Sequence, residues 1–195
     1  MPKYIPDKLK ELEIRAPQAA PKNLVVPANQ SYIVAAKDPK ITGVKWVKDV
    51  GIKVKPKSWT HLKKMIGIPD EAARKLTRQP ERRTARLVSA ATLKRSLKAR
   101  QAFTKDATII AKSYLYGVST LHAQHEAMLS AVYGKFDLWI PLFKDITIEK
   151  GATLVVGSGV KKLIARDIKI KTGGKIDSRS DVLHINCRSM KGELP

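Results

Sequence analysis

Cysteine is almost missing from this chain, and acids are scarce. A single cysteine, Cys187, in 195 residues excludes an intrachain disulfide and any zinc site built on cysteine pairs. Such sparing use fits a reducing compartment. Long apolar runs are missing too: nothing approaches the roughly 20 residues that span a bilayer as a helix. The start, "MPKYIPDKLKELEIR", lacks the apolar segment of a secretion signal. A cytoplasmic location is the expectation, with signal-independent export as the alternative. There is no G-x-S-x-G elbow, no Walker loop and no dinucleotide fingerprint. No close pair of acids suggests acid/base chemistry. Acids number 17 against 38 lysines and arginines, a net charge of +21, which favours partners rich in negative charge.

What is present suffices for a packed core. Apolar residues make up 43% of the chain and charged ones 28%, the balance of a folded protein. Charge is unevenly spread: net +7 over residues 1–60, +10 over 61–112, zero over 113–144 and +4 over 145–195. Residues 1–30 carry Pro2, Pro6, Pro17, Pro21 and Pro27 and are expected as an extended arm, with a turn of helix at Asp7–Ile14. In 31–57, Ile41, Val44, Trp46 and Val47 bracket Gly43, and "GIKVKPK" sets Ile52 and Val54 between lysines, the period of short strands. Residues 58–134 are expected to be helical. Ser58 caps "WTHLKKMIG", Pro69 opens "IPDEAARKLTR", and Pro80 opens the helix 80–103. Tyr114, Val118, Leu121, His125, Met128 and Val132 then recur at spacings of three and four, a buried stripe. Gly117 splits that segment and Gly134 ends it.

From Asp145 to Cys187 the pattern changes. Ile146 alternates with Ile148, Leu154 with Val156, Ile168 with Ile170 and Leu183 with Ile185, across short turns "EKG", "GSG", "TGG" and "SRSD". Glycine supplies the positive φ such turns need. The eight alternating residues are the candidate inward set. Antiparallel hairpins in a sandwich satisfy this pattern, and so do stacked coils. The run "ITIEKGATLVV…LIARDIKIKTGGKI" resembles the rungs of parallel β-helix proteins, in which an I-x-I step and a GG-x-I step return at each coil. That resemblance covers about 50 residues and implies open strand ends able to pair with another copy.

Four constellations bear on chemistry. His122 and His125 stand at helical spacing beside Glu126, but a third metal ligand would have to come from His61, His184 or a distant carboxylate; ordinary packing is the favoured reading. Cys187 follows His184 by three residues, which in a strand sends the two side chains to opposite faces. An idle thiol is therefore favoured over a nucleophile, even with Arg188 next to it. "LKKMIGIPDEAARKL" (62–76) resembles the helix-turn-helix spacing of Leu62, Gly67, Ile68, Ala73 and Leu76. This implies that Arg74 and Lys75 face a groove of DNA. Lys63 departs from that family, which buries a small residue there. Lastly, Arg78, Arg82, Arg83, Arg86, Lys94, Arg95, Lys98 and Arg100 occur with Glu81 as the only acid among them. Solvated helices usually balance signs at i, i+4, so this imbalance points to an anionic partner. Aromatic residues are not interleaved there, which argues against stacking on single-stranded bases.

The sequence therefore predicts an α+β chain in four parts: an extended arm (1–30), short strands (31–57), a basic helical middle (58–134) and a small all-β C-terminal module (135–195), either solenoid-like or a short-strand sandwich. The expected function is non-enzymatic, with no cofactor and no metal. Arg74, Lys75, Arg78, Arg82, Arg83, Arg86, Lys94, Arg95, Lys98 and Arg100 would dock an acidic protein surface or nucleic acid. The β module would supply self-association, as a homo-oligomer or within a larger assembly. The alternatives are a DNA-binding protein using residues 62–86 and an exported effector or toxin without a recognisable active site.

Overall fold

A computed structural model describes residues 4–76, 97–134, 137–180 and 183–193. The chain divides into two compact units, one made of residues 1–54 and 138–195 and the other of 55–137.

The first unit is a stack of coils. It opens with helix α1 (Tyr4–Glu11) and strands β1 (Lys22–Val26), β2 (Ser31–Val34), β3 (Lys45–Val47) and β4 (Gly51–Val54). After the second unit it continues with β5 (Leu138–Ile148), β6 (Thr153–Val156), β7 (Lys162–Ile170), β8 (Lys175–Ser178), β9 (His184–Asn186) and β10 (Ser189–Gly192). One sheet runs β1-β5-β7-β10, with β4 against β5 and β9 against β7; the other runs β3-β2-β6-β8. All pairs are parallel except β4 with β5. Ile146 lies opposite Ile168, and Ile168 opposite Met190, each partner 22 residues on. Leu154 opposite Ile176 repeats that offset in the second sheet. Each turn of the coil therefore consumes 22 residues, and like positions stack into columns.

Columns explain the core. Leu24, Ile146 and Ile168 are buried in one, Val26 and Ile148 in the next, and Leu154 stands over Ile176 between the sheets. In these columns each inward residue sits on its equivalent from the neighbouring rung. Full burial of each such side chain contributes roughly 1.5–3 kcal/mol. Phe143 and Ile146 both belong to the inner cluster although three residues apart. Period two fails between them, so the strand turns a corner at Lys144–Asp145. Ala165 and Ile168 repeat the corner one rung later.

These findings overturn the expected fold class. The chain is mixed α/β with parallel sheets, and its strands are spread along the sequence. No separate C-terminal β module exists, because β1 pairs with β5 and β2 with β6 across 122 residues. A parallel coil needs neighbours from successive turns, and here the second unit is inserted between two of them. Nor is the middle a basic helical block: α2 (Trp59–Ile66), α3 (Asp70–Leu76) and the later α5 (Glu126–Tyr133) are seven or eight residues long. The longer α4 (Leu97–Tyr116) runs through the expected break near residue 103. Of the expected helix 80–103, residues 80–96 lie outside the described residues.

In the second unit, a 3-10 helix (Ser119–His125) links α4 to α5. Tyr114, Val118, His125 and Met128 of the predicted stripe are buried. Trp59 meets Tyr114 edge-on at 5.9 Å and Tyr133 at 5.8 Å between ring centroids, so α2 is anchored on both α4 and α5.

Candidate functional site

Of the ten basic residues that the sequence singles out, four lie on described helices. Arg74 and Lys75 are adjacent and exposed at the end of α3. Lys98 and Arg100 belong to α4. Arg78, Arg82, Arg83, Arg86, Lys94 and Arg95 lie outside the described residues.

The position of α3 is fixed by an unusual lysine. Ser58 caps α2 by accepting a hydrogen bond from the His61 amide. On that helix Lys63 is buried, and its ammonium donates to the carbonyls of Tyr114, Leu115 and Gly117. These are carbonyls at the end of α4, where a helix leaves acceptors unsatisfied and favours a cation. Lys63 also pairs with Asp70 at 3.0 Å. The Ser119 amide and hydroxyl donate to the same carboxylate. Burial lowers the Lys63 pKa, and Asp70 opposes that fall. For Asp70, burial pushes upward, but hydrogen bonds from Ser119 and Lys63 outweigh it and the net shift is downward. Lys63, the departure from the helix-turn-helix pattern, is thus a structural tie between α2, α3 and α4. Gly67 is needed for proximity: a Cβ there would come within 2.5 Å of the Leu115 carbonyl.

Two acids of this unit, Asp70 and Glu126, are used internally, whereas Glu71 and Asp137 are exposed. Asp70 is held as described, and Glu126 accepts from the Trp59 amide at 2.9 Å and from the Tyr114 hydroxyl at 3.3 Å. Residues 55–137 contain 17 basic and 6 acidic residues, net +11. Turning Asp70 and Glu126 inward leaves the outer surface still more positive.

His125 is buried at the end of the 3-10 helix and His61 accepts a hydrogen bond from the Lys57 amide. His184 stands beside Lys162 in the other unit. Among the described residues no group of three or more His, Cys, Asp or Glu could hold a metal ion. Cys187 packs against the inner cluster of the coil. Burial, and then Asp167, push its thiol up, which keeps it in the unreactive protonated form.

Sequence reasoning missed a groove of about 290 Å³ along the corner of the first sheet. It is lined by Asp145, Thr147, Asp167, Lys169, Arg188, Ser189 and Lys191 among others. Arg166 forks onto Asp145, and Arg188 forks onto Asp167, each reaching the aspartate of the preceding rung. Lys171 pairs with Glu149 at 2.8 Å and Lys169 with Glu193 at 3.4 Å. The groove's carboxylates are neutralised by arginines, while Lys191 is exposed at its rim. The signal was available as "KDI", "RDI" and "RSM" at steps of 22 residues. No helix among the described residues is long and apolar enough to cross a membrane. The chain matches no protein-family model, and no similar curated protein or solved structure is found.

Proposed function

We propose that this chain is a non-enzymatic docking and assembly protein. It holds a polyanion through the cationic surface of residues 55–137, and the coiled unit serves as a rigid platform. The observation that carries the reading is the disposition of the acids. In residues 55–137, Asp70 and Glu126 are committed to internal hydrogen bonds, while Arg74 and Lys75 face outward. A surface with a large excess of cations attracts a polyanion over a Debye length and releases counterions on contact. Self-association is the second part of the reading. Among the described residues, strands β8 and β10 each have a paired neighbour on one side only, and such edges template further pairing.

The test is particle mass and heparin retention of the purified chain at low and high salt, with and without nuclease. The reading expects retention that falls steeply with salt, at a log–log slope of roughly −0.9 per phosphate contact on duplex DNA. Arg74→Glu with Lys75→Glu should elute earlier. Retention insensitive to salt, or unchanged by the double variant, would overturn it.

A second reading has a specific observation in its favour. The element order α2, turn Gly67–Pro69, α3, with Arg74 and Lys75 exposed on the second helix, is that of a helix-turn-helix reader. A shift of duplex DNA that depends on sequence would select it over sequence-blind polyanion binding.

A further inference from the structure

Strand β7 has two buried faces. Leu163 and Ala165 belong to the inner cluster of the coil. Lys162 and Ile164 alternate with them and so point outward, yet Lys162 is 5% exposed and Ile164 0%. Ile140 and Leu142 of β5 are likewise buried but outside the inner cluster. On β7 this outer face is covered by α1. Its Ile5 and Leu9 are buried, as are Leu12 and Ile14 just beyond it. The helix is joined to β1 by residues 15–21, which contain Pro17 and Pro21 and are largely exposed.

The underside of this helix has a flaw. Lys162 is enclosed beneath it, and among the described residues its ammonium makes no ion pair. The charged groups of α1 that act on it are Lys8 and Glu11, and these are paired with each other at 2.8 Å. On the coil side its register partner in β9 is His184. We infer that α1 is a releasable strap: it closes over the outer face of β7, and the lysine enclosed beneath it opposes closure, so that release uncovers Ile164.

Burial pulls the Lys162 pKa down to about 8, Lys8 adds to the fall and Glu11 resists it. The sign follows. A lysine with a depressed closed-state value destabilises closure fully below that value. The penalty fades as pH rises from about 8 towards the ordinary value of about 10.4. Closure should therefore tighten in alkali. This inference concerns the first unit and is independent of the polyanion reading.

The experiment is hydrogen exchange of the full chain, read by mass spectrometry over residues 5–12, for the wild type, Lys162→Met and Lys8→Glu. Lys162→Met removes the enclosed charge, and Lys8→Glu gives it an anion from the helix side. At about pH 7, both variants should slow exchange in α1, Lys162→Met by about a hundredfold, with β6 and β7 unchanged. The ratio of wild type to Lys162→Met should narrow by about tenfold at about pH 9.5. If Lys162→Met does not fold, Lys8→Glu decides alone. Equal α1 exchange in the wild type and the folded variants, or a ratio that does not move with pH, would overturn the strap.

Discussion

Arg188 grips Asp167, the aspartate one rung before it, with both ends of its guanidinium fork. Ser189 donates to the same carboxylate at 2.7 Å. Arg166 repeats the grip on Asp145. A fork clamps two rungs in one register, because a slip by one residue would turn each aspartate away from its arginine.

The clamp should be visible in acid. The hydrogen bond from Arg188, then that from Ser189, hold Asp167 below the usual carboxylate range. A carboxylate depressed in the folded state contributes stability that is fully present above the unfolded value, about 3.9. That contribution is lost as pH falls through the folded value. Arg188→Met should therefore reduce stability above about pH 4 and flatten its dependence on pH below it. Urea melts across that range check this; parallel pH profiles for variant and wild type would show that the fork is only a surface contact.

Neighbouring residues on β7 should differ sharply in their tolerance of polar substitution. Ile168 is 1% exposed and faces the inner cluster, whereas Lys169 is exposed. Ile168→Asp buries a carboxylate without a partner and should cost several kcal/mol. Lys169→Ser should cost under about 1 kcal/mol. Chemical denaturation followed by far-ultraviolet dichroism separates the two, and similar losses would mean that the strand's alternation has been misassigned.

This alternation is the part of the fold that was legible. Ile146, Ile148, Leu154, Val156 and Ile168 face the core because their period of two is written in the sequence. What was not legible was the partner of each strand. "NLVV" and "SYIV" lack the charged corner and the glycines of the later rungs, and their neighbours in the stack lie beyond an inserted unit. Parallel pairing leaves no local turn signal of the kind that marks a hairpin. The site was less legible still. Lys63 reads as a surface cation, and only the approach of α4 makes it a buried tie.

That tie supports a stability prediction for the second unit. Lys63→Met leaves three carbonyls and the Asp70 carboxylate without their cation. Breaking one side of a buried pair typically costs about 3–5 kcal/mol, and removing both partners costs less than the sum. Lys63→Met should therefore be severe, and adding Asp70→Asn should recover part of the loss. The recovery will be incomplete, because Ser119 also depends on Asp70. Strict additivity in a double-mutant cycle would show that the two groups act separately.

The turns of the coil offer a last test, since the same backbone position recurs in three rungs. Asn29, Gly151 and Gly173 all have positive φ, at 58°, 67° and 71°. They are stacked: the Asn29 amide donates to the Lys150 carbonyl and the Gly151 amide to the Thr172 carbonyl. A side chain in this left-handed conformation costs roughly 1–2 kcal/mol, and asparagine pays less than most. A Cβ on Gly173 would find its nearest neighbour at 3.7 Å, ordinary contact, whereas one on Gly151 would lie 2.5 Å from the Asn29 side-chain oxygen. Gly173→Ala should thus carry the conformational cost alone, about 1 kcal/mol. Gly151→Ala should cost more, because Asn29 must move as well. Replacing Asn29 by glycine removes the obstacle and keeps the backbone conformation accessible. On that background Gly151→Ala should cost no more than Gly173→Ala does in the wild type. Urea titration of the four variants measures the difference, and a Gly151→Ala penalty that Asn29→Gly leaves unchanged would show that the two turns are not in contact.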